Sequence, residues 1–387
     1  MKITCSQESL FYGLQTVQKA ISGRTNMPIY SGVLFEAEKD KVHLFATDLE
    51  IGIDCYIPVV IEEEGSTVIP IKLAIDLIRK LPQGDIKIES ENGISVIKAN
   101  KNKYKIVGWC GEDFSSFPTI KPIVSIQITQ KKLKNTIEKV IFAILKNEQR
   151  IFLNGASFKI LQNKLEITAT DSHRLSYCEC EILRIGKSNE EDFQVIVPQK
   201  PLIELLKLLD DSNEEVFVNI YIEAKQMVFV LYPEEAKKAI RIHTRLIEGN
   251  FPDHRQIIPK EFNTQVTINN EILKKGIERV SLFTEFDAGC INISIKAIQE
   301  AIKVENECEM TLNSETENLG KAREKIICYN KGNDIEIVVN AKYILDVLSV
   351  IETENTVIKM VNESSPMVIV PEQDKDFLHI VMPIRRE

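Results

Sequence analysis

Four consecutive residues, Asp171, Ser172, His173 and Arg174, combine a carboxylate, a hydroxyl, an imidazole and a guanidinium. These groups could form a nucleophilic hydrolase site, in which a base activates a hydroxyl that attacks an acyl carbon. No G-x-S-x-G turn surrounds the serine, and neighbouring side chains on a strand point to opposite faces. We therefore expect no catalytic residue here, although a cytosolic hydrolase that uses His173 remains an alternative.

The same Ala-Thr-Asp triplet occurs at 46–48, where neither His nor Arg follows. Aspartate at a strand end commonly accepts hydrogen bonds from the backbone amides of a turn. We predict that Asp48 and Asp171 both do so, which makes the segment a structural turn. His173, Arg174 and Leu175 are then what the second copy adds.

The bulk composition indicates a globular protein of two or three domains, with 387 residues, 44% of them apolar and 27% charged. No apolar segment reaches the length of a membrane span, and the first ten residues lack the apolar core of a signal peptide. The eight cysteines include no C-x-x-C pair, and the five histidines lack metal-ligand spacing. We expect free thiols, a cytoplasmic location, no metal and no cofactor.

Three segments share one design, namely a β-branched run, Pro or Asn, one further residue, and a lysine that opens an apolar helical stripe. They are VIPIKLAIDLI (68–78), VIVPQKPLIELL (195–206) and IVVNAKYILDVL (337–348). An acid follows each lysine by four residues, which predicts ion pairs on the helix surface. The predicted pairs are Lys72/Asp76, Lys200/Glu204 and Lys342/Asp346.

A second amphipathic helix precedes each of these segments, and alternating runs typical of strands lie between the helices. The predicted N-caps of the preceding helices are Ser6, Thr129 and Asn269. Asn92-Gly93 predicts a hairpin. The chain is therefore predicted to contain three copies of one α+β unit. The predicted domains are 1–122, 123–258 and 259–387. Three unrelated α+β domains are the alternative.

Charge is distributed unevenly along the chain, although the net charge is −9. The predicted helical segments are 7–24, 71–81, 130–150, 199–209, 270–280 and 341–351. Together they carry a net charge of +9, which leaves −18 for the rest of the chain. Because lysine favours helices, part of this segregation needs no functional cause. Helices gathered on one surface would nevertheless attract a polyanion there, while the remaining surface repels it.

Eight motifs follow one another along the whole chain. They are SGRTNMPI (22–29), ATDLE (46–50), FLNGASF (152–158), ATDSHRL (169–175), VIVPQK (195–200), GNFPDHR (249–255), NAKYILDVL (340–348) and VMPIR (381–385). In this order they resemble the bacterial DNA polymerase III beta subunits, the beta sliding clamps. The resemblance implies three clamp-type domains per chain, in a head-to-tail homodimeric ring with helices around the hole. It implies a non-catalytic function, in which the ring encircles duplex DNA, slides along it and tethers the polymerase.

The resemblance also implies three sets of site residues. The pocket that takes short peptides from partner proteins would be formed by Leu153, Thr170, His173, Arg174, Leu175, Pro252, Ile257, Met382 and Pro383. The DNA contacts would be made by Arg24, Lys146, Asn147, Arg150 and Lys200. The dimer contact would join Tyr104 and Ile106 to Leu282 and Phe283. Four helix lysines face either the hole or solvent, namely Lys131, Lys132, Lys134 and Lys139.

The chain departs from the family pattern at three places. Ser172 stands where the family commonly has glycine, Gln256 stands where a basic residue is common, and Arg386 and Glu387 extend the usual C-terminus. The peptide preference of the pocket therefore stays open.

The implied partners are double-stranded DNA without sequence preference, a second copy of the chain, a clamp loader, the DNA polymerase III alpha subunit and other proteins with clamp-binding motifs. No membrane is expected among them. The sequence has no G-x-x-x-x-G-K-[ST] motif, so ATP hydrolysis during ring loading would belong to the loader. A clamp-fold paralogue that acts only as a peptide-binding scaffold is a second alternative.

Overall fold

The computed structural model describes residues 1–21, 26–145, 149–185, 192–235, 238–284, 289–297 and 306–384. Its α-helices are α1 Gln7–Gln18, α2 Ile71–Lys80, α3 Gln130–Ile141, α4 Gln199–Leu206, α5 Asn270–Ser281 and α6 Ala341–Leu348. The strands of the first repeat are β1 Lys2–Ser6, β2 Gly32–Glu38, β3 Lys41–Thr47, β4 Ile51–Pro58, β5 Val60–Glu63, β6 Gly65–Pro70, β7 Asp85–Glu91, β8 Ile94–Ala99, β9 Asn102–Val107 and β10 Trp109–Cys110. Those of the second are β11 Val124–Thr129, β12 Gly155–Leu161, β13 Lys164–Thr170, β14 Arg174–Glu181, β15 Leu183–Arg184, β16 Phe193–Pro198, β17 Phe217–Ile222, β18 Gln226–Leu231 and β19 Ile240–Arg245. Those of the third are β20 Thr264–Asn269, β21 Cys290–Ala297, β22 Glu307–Thr316, β23 Gly320–Gly332, β24 Ile335–Asn340, β25 Asn355–Met360, β26 Met367–Pro371 and β27 Phe377–Val381.

The described elements occur in the same order three times. Each repeat has a strand, a helix, a group of strands, a second helix and three further strands, with the short β10 as an additional strand in the first repeat. This order confirms the predicted repeat and contradicts three unrelated domains.

The local signals for helix starts and turns are also confirmed. The amide three residues after Ser6, Thr129 and Asn269 donates to each N-cap side chain, at 3.1, 3.4 and 3.1 Å respectively. Asn92 and Gly93 have φ angles of 49° and 73° and form the tight turn between β7 and β8.

The predicted i,i+4 ion pairs are wrong in all three repeats of the described chain. Asp76 and Glu204 each bond a basic residue three positions further on, at 2.9 and 2.8 Å. Asp346 binds Arg174 at 2.5 Å, and Lys200 binds a carboxylate of the first repeat. Exposed helix pairs contribute only ~0.2–0.5 kcal/mol, so a nearer or better buried partner displaces them.

The chain forms two compact units, 1–134 with 181–248 and 135–180 with 249–387. The first contains the sheet β5-β1-β7-β8-β9 and the sheet β10-β6-β2-β3-β4-β19-β18-β17-β11-β15. In the second, strands follow the order β12-β13-β14-β27-β26-β25-β20-β23-β22-β21-β24. Each unit thus contains one junction where a sheet continues from one repeat into the next, β4 with β19 and β14 with β27. Because the second repeat is divided between the units, the domain boundaries stay a prediction.

Helices α1 and α5 contact the sheets of their own repeats through a glycine. A Cβ atom at Gly13 would lie 2.6 Å from the Leu44 side chain. A Cβ atom at Gly276 would lie 2.8 Å from Ile326 and 3.2 Å from Leu312. The missing side chain therefore allows each helix to lie directly on the sheet.

The predictions about cysteines and membrane segments can be compared directly with the structure. All eight cysteines are free. No helix in the described residues is long and apolar enough to cross a membrane. The described residues contain no cluster of three or more His, Cys, Asp or Glu side chains placed to hold a metal ion.

The β4–β19 junction contains a buried ion pair. The Asp54 side chain is fully buried and accepts bonds from Arg241 Nε at 2.9 Å and from His43 Nε2 at 2.5 Å. The Arg241 guanidinium lies 4.4 Å from the Phe117 ring centroid. Burial by itself lowers the pKa of Arg241, and its bonds to Asp54 more than offset this, so the pKa is raised.

Replacing Asp54 with alanine should lower the free energy of unfolding by about 3 kcal/mol, because the substitution leaves Arg241 without its counter-ion. Urea titration of the single variant and of the double variant D54L/R241L measures the effect. The double variant should lose less stability than Asp54→Ala, since it leaves no uncompensated charge. An Asp54→Ala protein as stable as the wild type would contradict this account of the junction.

Candidate functional site

The Ala-Thr-Asp segment of the second repeat is a tight turn between β13 and β14. Asp171 Oδ1 accepts from the amides of His173 and Arg174 at 3.0 and 2.9 Å. Thr170 Oγ1 donates to the Arg174 carbonyl at 2.7 Å. In the first repeat, Asp48 accepts from the two corresponding amides at the same distances, 3.0 and 2.9 Å. The predicted structural turn is therefore confirmed in both repeats.

Ser172 lies in the left-handed region of backbone conformation, with φ 78°. Leu49 has φ 76° at the corresponding position of the first repeat. A residue without Cβ is favoured in this region, so the glycine that the resemblance implies at this position would fit the turn without strain. The Ser172 hydroxyl accepts a bond from Arg150 Nη1 at 2.8 Å.

Arg174 is buried, and its guanidinium ties the turn to two helical segments. Nε donates to Asp171 at 3.0 Å, Nη1 to Asp346 at 2.5 Å, and Nη2 to the Phe142 carbonyl at 2.6 Å. Its Cζ lies 4.6 Å from the Tyr343 ring centroid. Burial raises the pKa of Tyr343, with a further increase from Asp171. Arg174 therefore holds the wall of the candidate pocket in place.

Leu175 belongs to a buried apolar cluster at the candidate site. It is buried against Val368 and Ile380, because β14 and β27 pair with Leu175 opposite Ile380. Beyond the last pair, the Met382 amide donates to the His173 carbonyl at 2.9 Å. The Met382 side chain is 37% exposed beside this buried cluster. A buried apolar cluster with an exposed thioether at its edge suits an apolar peptide side chain.

The remaining predicted pocket residues lie in the same compact unit. Leu153 is buried, Pro383 is half-buried, and Pro252 and Ile257 are exposed. Two residues near Pro252 and Ile257 in the sequence anchor this segment. Arg255 bonds the buried Glu166 at 2.8 Å, and Ile258 packs against the Leu175 cluster.

A buried histidine lies under the β14–β27 junction. Ser176 Oγ donates to the Lys139 carbonyl at 2.7 Å and therefore accepts from His379 Nδ1–H at 3.0 Å. His379 is fully buried, and its Nε2 has no hydrogen-bond partner among the described residues. Burial, with a smaller contribution from the charge of Arg174, lowers the pKa of His379 to about 3.

Three residues that support the site were not predicted from the sequence, namely Asp346, Tyr343 and His379. Asp346 had been assigned to a surface pair with Lys342. Two features of the sequence could have indicated these residues. Tyr343 and Asp346 lie three residues apart on one helix face, and His379 lies within an apolar strand.

The residues predicted to contact DNA are only partly described. Arg24, Lys146 and Asn147 lie outside the described residues. Arg150 is exposed and Lys200 is 37% exposed at its side chain, where it bonds Asp48. On α3, Lys131 bonds Glu214 at 2.7 Å, Lys134 bonds Asp211 at 2.6 Å and Lys139 bonds Asp374 at 2.7 Å.

The residues predicted at the dimer contact differ in exposure. Leu282 follows α5 and is 73% exposed, and Phe283 is half-buried. Tyr104 is half-buried, whereas Ile106 is buried within its own chain. Among the residues of β9, the outward-facing apolar side chain is Val107, at 71% exposure.

Three copies of one unit, joined by sheets that continue across their junctions, define a clamp-type protein. Three family models of the DNA polymerase III beta subunit match this chain. The N-terminal domain model matches residues 1–118, the central domain model 127–253 and the C-terminal domain model 255–385. The Beta sliding clamp of Bacillus subtilis is 30% identical over the full length of both chains. That of Staphylococcus epidermidis is 29% identical and is covered over 99% of its length.

Solved structures show the same fold. The DNA polymerase sliding clamp from B. subtilis has a TM-score of 0.90 with 29% identity, and both chains are covered completely. The DNA polymerase III beta subunit from Thermotoga maritima has a TM-score of 0.86 with 25% identity, also over both whole chains. The chain belongs to the DNA polymerase III beta subunit family. The family confirms the predicted sliding clamp function, which is non-catalytic, and contradicts the hydrolase.

His379 should make the protein less stable as the pH falls. Because its pKa is about 3 when folded and 6.5 when unfolded, its contribution is complete above pH 6.5 and declines by about 1.4 kcal/mol per pH unit down to pH 3. His379→Asn keeps a donor near Ser176 and removes the titration, so the pH dependence of urea unfolding should become shallower by about that slope. The exposed His173→Asn is the control. An unchanged slope in His379→Asn would contradict the assignment.

Proposed function

We propose that two copies of the chain close head to tail into a ring around double-stranded DNA and carry a DNA polymerase along it. The sliding clamp relatives support this function over the full length of the chain. The main observation in support of the ring is the threefold repeat, because two junctions between neighbouring repeats are formed within one chain. The sheet edges that would form a third junction stay available at the first and third repeats.

The two available edges are β9 and the N-terminal part of β23. β9 is the last strand of the five-stranded sheet. Within β23, residues 329–332 pair with β20, whereas 320–328 pair with β22 alone among the described strands. Unpaired strand edges are natural joining points. Pairing these two edges between copies creates two identical joints and closes the ring. Tyr104, Ile106, Leu282 and Phe283 would lie at or near these joints.

The helices supply a modest positive charge for DNA. As observed, they contain 12 basic and 7 acidic residues, so the excess is smaller than in the broader predicted segments. Arg24, Lys146 and Asn147 belong to the proposed contact set together with Arg150 and Lys200. Phosphate contacts carry no sequence information, so binding is non-specific and weakens with salt.

Loading onto nicked circular plasmid tests the ring. With a clamp loader and ATP, the protein should stay on the circle through a high-salt wash and leave when the plasmid is linearised, because only topology holds it. Gel filtration of labelled protein with the plasmid measures retention. A peptide-binding paralogue would not be retained on the circle, and retention after linearisation would contradict sliding.

We also propose that the site around Leu175 takes a short apolar peptide from partner proteins. The buried Leu175 cluster, the exposed Met382 and the exposed Pro252 and Ile257 support this role. The partners are the DNA polymerase III alpha subunit, the clamp loader and other proteins with clamp-binding motifs. The proposed location is the cytoplasm, where these partners meet DNA in bacteria.

Replacing Leu175 and Met382 with alanine should reduce polymerase stimulation at least about tenfold, because central apolar contacts dominate peptide binding. Met382→Ala alone should give much of the loss without disturbing the core. Leu183→Ala removes an exposed apolar side chain from the first compact unit, at 59% exposure against 37% for Met382, and is the control. Primer extension on a long template measures stimulation. Normal stimulation by the double variant would contradict the pocket assignment.

A further inference from the structure

The three repeats can be aligned residue by residue from their strand pairing. Four residues lie side by side on neighbouring strands in each repeat, beginning three positions before the N-cap of the first helix. The rows are Ile3–Ile88–Ile97–Tyr104, Ile126–Ile220–Phe229–Ile242 and Val266–Ile358–Ile369–His379. Tyr104 on β9 is therefore the counterpart of Ile242 on β19 and of His379 on β27.

The two junctions inside the chain share one register. Ile242 faces Ile53 at the first junction, and His379 faces Ser176 at the second. Ile53 and Ser176 are equivalent, because each lies five residues after the aspartate of its Ala-Thr-Asp turn. One pairing rule thus describes both junctions.

The glycines of α1 and α5, the first helices of the first and third repeats, locate the corresponding position on β23. That glycine contacts a leucine, which in turn faces a residue of the junction strand. The two rows are Gly13–Leu44–Cys55 and Gly276–Leu312–Glu324. Glu324 is thus the counterpart of Cys55, and Ala322, two residues earlier, is the counterpart of Ile53.

Applied to the joint between protomers, the same register places positive charges opposite each other. The facing pairs are Tyr104/Ala322, Lys103/Arg323 and Lys105/Lys321. The Lys103/Arg323 pair takes the place of the Arg241/Asp54 ion pair of the first junction. Both lysines of β9 and both cations of β23 are exposed. Like charges directly opposite on a sheet are destabilising.

Neither ion pairs within the chain nor a shift in strand register removes the repulsion between the facing cations. Lys321 bonds Glu315, but Lys103, Lys105 and Arg323 have no ion pair among the described residues. Basic residues recur at every second position on both edges, at 101, 103 and 105 and at 321, 323 and 325. A shift by two residues therefore opposes cations again, and a shift by one turns buried faces outward.

We propose that the joint between protomers is an anion-dependent interface, which closes firmly only when dissolved anions screen or bridge its facing cations. This inference rests on the proposed homodimeric ring. An interface held by ion pairs weakens as salt is added, whereas this one strengthens. A divalent oxyanion such as sulfate can bridge two cations and should act at lower concentration than chloride.

Sedimentation equilibrium of the full chain at several salt concentrations tests the proposal. Between 20 and 300 mM NaCl the dimer dissociation constant should fall roughly tenfold, since the Debye length falls from about 20 Å to about 6 Å, close to the spacing of the facing charges. Sodium sulfate at equal ionic strength should lower it further. Lys103→Glu and Arg323→Glu each create an opposite-charge pair, so both variants should dimerise more tightly than the wild type at 20 mM NaCl. Added salt should no longer tighten the dimer in either variant.

Two control variants distinguish an effect of charge at the joint from an effect of the net charge of the chain. Lys103→Arg keeps the charge and should behave like the wild type. Lys296→Glu makes the same charge change on β21, which is flanked by β22 and β24. It adds to the net negative charge of the chain and should not tighten the dimer. Circular dichroism of each variant verifies folding, and the two reversals on different strands give independent readings.

Different outcomes test the repulsive joint and the homodimeric ring separately. A wild-type dimer that weakens with salt, together with looser dimers for Lys103→Glu and Arg323→Glu, overturns the repulsive joint and leaves the ring intact. A chain that stays monomeric at every salt concentration, with both reversals monomeric as well, overturns the homodimer and the inference with it.

Discussion

The constraint on which this structure depends is that the edge of a β-sheet cannot be left with its hydrogen-bonding groups unpaired without consequence. Each repeat ends its sheets with such an edge. The chain satisfies two of them internally, by pairing β4 with β19 and β14 with β27 in one common register. The repeat therefore specifies how one unit attaches to the next, and the proposed joint with a second copy follows the same rule.

Backbone pairing is the same at each junction, but the side chains that accompany it differ. The first junction has the buried Asp54–Arg241 pair on one face of the sheet. The equivalent place in the second junction holds Tyr177 opposite Leu378, an aromatic-apolar contact. The backbone thus provides a general mode of attachment, and the side chains adjust how firmly each attachment holds. This division allows related chains to keep one architecture while the strength of a joint changes.

Features that depend on neighbouring residues in the sequence could be predicted, since capping and turn signals act locally. Ser6, Asn269 and Asn92-Gly93 all behave as their residue types predict. The repeat pattern indicated three similar units for the same reason. Features that depend on distant partners could not be predicted. Asp346 binds Arg174 across 172 positions of sequence, so the nearer Lys342 was the wrong partner. The burial of Ile106 likewise depends on how its sheet is covered. The pattern of the strand alone could not reveal it.

The contact between Lys200 and Asp48 in the first compact unit bears on how the proposed ring moves along DNA. Lys200 binds the Asp48 carboxylate, whose other oxygen accepts two amides of its turn. In the proposed DNA contact of Lys200, a phosphate would replace Asp48 as the anionic partner of the lysine, so one negative partner would be exchanged for another. Such an exchange would release little free energy at any one phosphate. Movement of the proposed ring from one phosphate to the next would then cost little at this lysine.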